Sequence, residues 1–79
     1  MTLDEAPRGL PLHVVAAGNA NPAVTRRLAE LGLRPGVRLA VQSRTSGGGA
    51  VLAIGDDRIA VARRILTGVQ VQRIEQADG

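Results

Sequence analysis

The chain has 79 residues, with no Cys and no Phe, Trp or Tyr. That length holds one domain with a thin core, and the missing thiols exclude disulfides, cysteine nucleophiles and sulfur-rich zinc sites. The formal charge of +3, with all ten basic residues Arg, suits solubility and permits an acidic partner, while the absence of aromatic stacking platforms counts against nucleic acid.

Residues 1–9 read as a flexible N-terminal tail ending in Pro7-Arg8-Gly9. Its start is acidic and polar and lacks the basic and apolar regions of a signal peptide. Apolar runs reach only about five residues, against the ~20 needed to cross a bilayer. The expectation is a cytoplasmic protein that does not insert into membranes.

A first strand is expected over residues 10–17, with Leu10, Leu12, Val14 and Ala16 on one face and His13 on the other. Asn21 is a good N-cap and Pro22 suits the first helical position, so a helix should run to Leu31. Val24, Leu28 and Leu31 form its apolar stripe, and Arg26 and Glu30, four apart, form a weak pair on another face. Gly32 stands where a left-handed C-terminal cap is expected. Pro35-Gly36 has the signature of a type II turn.

A second strand follows, with Val37, Leu39 and Val41 on one face and Arg38, Ala40, Gln42 and Arg44 opposite. Ser46-Gly47-Gly48-Gly49 reads as a flexible hairpin tip. A third strand, Ala50 to Ile54, is apolar on both faces, which suggests a central place. Gly55-Asp56-Asp57-Arg58 reads as a tight turn, Ile59 to Ala62 as a fourth strand, and Arg63 to Thr67 as one helical turn broken by Gly68. Alternation of Val69 and Val71 with Gln70 and Gln72 makes a closing strand reaching Ile74. Residues 75–79 are a polar C-terminal tail. The fold class is therefore mainly β: a small barrel of about five strands with a short α-helix after the first strand, occupying residues 10–74.

Catalytic chemistry finds little support. His13 is the single imidazole, and a lone His on the polar face of a strand reads as a surface residue. Asp56 and Asp57 suit a turn, and their side chains point apart. A run of glycines could be taken for a phosphate loop, but that motif needs a following helix and a Lys, and neither is expected here. His13, Asp56, Asp57 and Glu30 could supply only a weak, oxygen-rich metal site, more plausibly between chains.

The segment from Arg26 to Val37, RRLAELGLRPGV, is the distinctive one. It resembles the signature of the FeoA family of ferrous-iron-transport accessory proteins, Arg-Leu-x-x-Leu-Gly-aliphatic-x-x-Gly, matched here by Arg27, Leu28, Leu31, Gly32, Leu33 and Gly36, with Pro35 also typical. The resemblance extends over roughly residues 10–74, through Leu12, Ile59 to Arg63, and Val69 to Ile74. Two stretches depart from the family pattern: Ser46 to Gly49 replaces a Gly-Asp-Pro-like loop, and Arg63-Arg64-Ile65-Leu66 replaces a charged turn ending in Ala.

The resemblance implies an SH3-like barrel with an inserted helix. It further implies a cytosolic, non-enzymatic accessory that docks onto FeoB, the membrane ferrous-iron permease with a GTPase domain. Arg26, Arg27, Glu30 and Arg34 are the partner-binding candidates, because Arg recognises carboxylates with planar, multiple donors. Leu28, Leu31, Gly32, Leu33, Pro35 and Gly36 have structural roles. No cofactor is expected beyond a weak divalent ion such as Fe²⁺, and a homo-oligomer is possible. Similar domains sit at the C-terminus of iron-dependent repressors, so a free-standing metal-responsive regulator is the second reading. A small nucleic-acid-binding barrel is the third.

Overall fold

A computed structural model describes residues 1–75. The strands are β1 (Leu12–Ala17), β2 (Arg38–Arg44), β3 (Ala50–Ile54), β4 (Asp57–Val61) and β5 (Val69–Arg73), with helices α1 (Pro22–Glu30) after β1 and α2 (Arg63–Leu66) after β4. All strand pairings are antiparallel, in the order β4-β3-β2-β1-β5. The mainly β class and the helix after the first strand are as the sequence predicts. β3 is an interior strand, in keeping with its apolar faces.

β2 joins two ladders. Its first residues, Arg38 and Leu39, pair with His13 and Leu12, and its later residues pair with β3. Register shifts lie between Val14 and Ala16 on β1 and between Val41 and Ser43 on β2. Bulges of this kind bend a strand and raise its twist, which lets five short strands wrap one core. The bulge on β1 also alters the expected facing: Leu12 and Val14 are buried, but Ala16 is exposed and strict alternation ends there.

The fully buried core is Leu, Val and Ala only. Val24 and Leu28 bring α1 onto it, and Leu31 packs against it half-buried. Leu66 of α2 and Val69 and Val71 of β5 are buried in the same core. Without aromatic residues, many small contacts share the apolar burial, at about 25 cal/mol per Å² removed from water.

Residues 1–9 differ from the expected tail. Leu3 is fully buried, Ala6 nearly so, and Leu3–Glu5 forms a 3-10 turn. Thr2 bridges to Gln70 on β5, and the Val71 N–H donates to the Met1 carbonyl at 2.8 Å. Further along, Arg8 bridges to Val41 on β2 and the Gly9 N–H donates to the Val41 carbonyl at 2.9 Å. The Arg44 guanidinium, on β2, donates to the Ala6 carbonyl. Two apolar residues and backbone pairing at both ends thus hold the segment down.

Smaller differences follow local physics. β4 begins at Asp57, so Asp57 and Arg58 are strand residues and the turn is Gly55-Asp56 alone. Ala62 leaves the strand to become the N-cap of α2. The Ser46–Gly48 tip is a packed 3-10 turn: a Cβ placed on Gly49 would lie 2.9 Å from the Val61 carbonyl oxygen, and one on Gly48 would lie 2.8 Å from Cδ of Arg63. Of the expected C-terminal tail, residues 76–79 lie outside the described residues.

Candidate functional site

α1 and the turn after it form one locally determined unit. The Asn21 side-chain oxygen accepts the Ala23 N–H at 3.0 Å, and Pro22 fills the first helical position. The Thr25 hydroxyl bonds back to the Asn19 carbonyl at 3.2 Å, which fixes the loop entering the helix. At the other end, Gly32 has φ +77, its N–H donates to Ala29 at 3.1 Å, and the Leu33 N–H reaches back to Leu28 at 3.0 Å. This pair of bonds, with Leu28 and Leu33 both buried, is a Schellman ending with its apolar contact. Gly36 has φ +92, and the Val37 N–H donates to the Arg34 carbonyl at 3.1 Å, closing the Pro35-Gly36 turn. The Gly36 N–H then donates to the Val14 carbonyl at 2.8 Å, which ties the turn to β1.

With Val24 and Leu28 facing inward, Arg26, Arg27 and Glu30 lie exposed. The expected partnership is exchanged: Glu30 pairs with Arg27 at 3.4 Å, three residues away, rather than with Arg26. Residues three and four apart on a helix are both within reach, and here the nearer spacing wins. Both side chains of the pair remain 55% exposed, so the pair contributes at most about 1 kcal/mol and leaves Arg27 open to a competing carboxylate. Arg34 is exposed in the turn, and among the described residues it makes no side-chain bond to the other three. The structure therefore joins Arg27 with Glu30, sets Arg26 beside them, and holds Arg34 on the following turn.

Among the described residues, no three His, Cys, Asp or Glu side chains come together as a metal-holding group. His13 sits on β1 between cross-strand neighbours Arg38 and Gln72. A single copy of the described chain thus does not fit a tightly bound transition metal, which needs several gathered ligands. Among the described residues, a shallow groove of about 260 Å³ lies between Thr45–Gly47 with Gly49 and Ala60–Arg63, and another of about 340 Å³ between Gly9, Pro11, Arg38–Ala40, Ala53, Gly55 and Ile74. Neither lining pairs a nucleophile with a base.

The FeoA domain model matches residues 1–73, a span that takes in the N-terminal segment. Among solved structures, a zinc complex of FeoA from Stenotrophomonas maltophilia is 30% identical with a TM-score of 0.75, over 91% of this chain and 89% of that one. It is described as a prokaryotic SH3 domain protein and a candidate ferrous-iron-transport activating factor. FeoA from Chlorobium tepidum is 29% identical with a TM-score of 0.79, over 100% of this chain and 75% of that one. A manganese-dependent transcriptional repressor in complex with manganese has a TM-score of 0.85 at 21% identity, over 94% of this chain and 36% of that one, a likeness of fold alone. No curated protein matches. The bent five-stranded sheet with its inserted helix is thus an SH3-like fold.

Proposed function

This chain belongs to the FeoA domain family, and on that premise we propose that it is an accessory protein of ferrous-iron transport that acts by docking and carries out no chemistry of its own. The observation that carries the reading is the family match joined to the build of α1. A helix capped at both ends and pinned by Val24 and Leu28 presents Arg26 and Arg27 to solvent on a rigid base. A surface whose backbone is already ordered spends less of its contact energy on ordering. Arg donors suit planar recognition of partner carboxylates.

In this reading the partner is FeoB, the membrane permease with a cytosolic GTPase region. Arg26 and Arg27 make the primary contacts, Arg34 extends them along the turn, and Glu30 sets the orientation of Arg27. Ferrous iron is the cargo of the permease. The protein would work in the cytoplasm, since it has to meet the GTPase region there.

A pull-down of the purified chain with the GTPase region of FeoB from the same organism tests this. Binding lost in Arg26→Glu/Arg27→Glu, with an unchanged circular dichroism spectrum, supports docking through α1. Absence of binding in every nucleotide state, with and without Fe²⁺, overturns it and favours the metal-responsive regulator, whose metal would need donors from two chains.

A further inference from the structure

The two edges of the sheet are treated differently. β5 is covered, because Thr2 bridges to Gln70 and Val71 donates to the Met1 carbonyl. β4, at the other edge, pairs with β3 alone. Its hairpin has the two-residue loop Gly55-Asp56, so the closing pair Ile54–Asp57 exchanges backbone hydrogen bonds, as do the alternate pairs Leu52–Ile59 and Ala50–Val61. Arg58 and Ala60 therefore turn their N–H and C=O groups outward, and among the described residues no backbone group meets them. Edge strands are commonly guarded by a charge laid across them. Here the Arg58 guanidinium instead folds back on its own turn, donating to the carbonyls of Gly55 at 3.2 Å and Asp57 at 2.9 Å.

The charges flanking this edge are arranged with opposite signs at its two ends. Reading from Asp56, the sequence is Asp-Asp-Arg-Ile-Ala-Val-Ala-Arg-Arg, with an acid just before the strand, a second as its first residue, and two Arg just beyond its end. Such a strand is self-complementary when a second copy lies antiparallel to it.

We propose that β4 is a self-association edge, pairing with β4 of a second copy about a two-fold axis through Ile59. Arg58 of each copy then pairs with Ala60 of the other, using all the outward backbone groups in four hydrogen bonds. Ile59, half-buried in one copy, meets Ile59 of the second on the same face of the extended sheet. Asp57 and Asp56 arrive opposite Val61 and Ala62 of the second copy, which line the groove of about 260 Å³ that also holds Arg63, Thr45 and Ser46. The acidic turn of each copy is thereby delivered to the basic, hydroxyl-lined end of the other. Such an interface is isologous, with each contact made twice, and its small area makes the dimer weak.

Sedimentation equilibrium of the full chain in chelator, at concentrations up to about 1 mM, tests the pairing. The expected result is a mass rising from 8.2 kDa towards twice that value, and falling back as salt is added. Ala60→Pro removes an outward N–H without touching the β3 ladder and should weaken association at least about tenfold.

A charge swap provides a second test that does not depend on proline being tolerated. Asp56→Arg/Asp57→Arg and Arg63→Asp/Arg64→Asp should each be monomeric alone, and should associate when mixed, because both ends of the mixed pair are then complementary. A strictly monomeric wild type overturns the proposal. So does a dimer that forms only with added metal, or one indifferent to both sets of substitutions.

Discussion

The α1–turn unit and the N-terminal segment make opposite demands on the chain. In the first, the signals that set the ends of the helix and the turn are local. Asn21 caps the next turn, Gly32 closes the Schellman ending on Leu28, and Pro35-Gly36 folds on residues three apart. In the second, almost nothing is local. Leu3 finds its place in a core assembled from distant strands, and the segment's backbone pairs with β5 at one end and β2 at the other. Local signals set the helix ends and the turn, which Val24, Leu28 and the Gly36–Val14 bond then dock on the core, whereas a segment held by distant contacts alone forms only when the whole sheet forms.

The largest effect should come from the segment that sequence patterning reads as a tail. Leu3→Ala should destabilise the fold by about 2–5 kcal/mol, the range for a truncated buried Leu, measured by urea unfolding. A value near zero would make the segment an ornament on a complete barrel. Leu28→Ala should cost a similar amount, about 2–5 kcal/mol, while also loosening the Schellman contact with Leu33.

Gly32→Ala has open space around the added methyl, so it should cost only the left-handed backbone strain, about 1–2 kcal/mol. Asn21→Ala should cost about 1 kcal/mol for the lost cap. Smallest of all, Arg27→Ala should change stability by less than about 1 kcal/mol, because its ion pair is exposed. A larger loss would mean that the Arg surface supports the fold and is not free for a partner.

What the sequence reveals follows the same division. Positions fixed by neighbours a few residues away were readable: the cap at Asn21, the stripe of Val24 and Leu28, the end at Gly32, the turn at Pro35-Gly36 and the alternation of β2 and β5. Positions fixed at long range were not. The burial of Leu3 and Ala6 has no periodic signature in a short acidic segment, and the bulge that turns Ala16 outward depends on its pairing with β5. The packing of the glycine tip against Arg63 needs the third dimension, although three glycines in succession hint at close approach. The motif that marks the family lies wholly in that unit, which is why the family resemblance was legible; the exposure of Arg26, Arg27, Glu30 and Arg34 was legible with it, and their part in docking is the proposal. Which of Arg26 and Arg27 pairs with Glu30 was beyond spacing alone, since both spacings are open to it.

The most direct test of the central claim is uptake of radiolabelled ferrous iron by cells that lack this chain and regain it from a plasmid, as wild type or as Arg26→Glu/Arg27→Glu. Equal abundance and unchanged thermal unfolding of the two proteins would set stability aside. The account predicts that wild type restores uptake and the double variant does not. Full restoration by the double variant would contradict it, and would remove the exposed Arg face of α1 from the function of this protein.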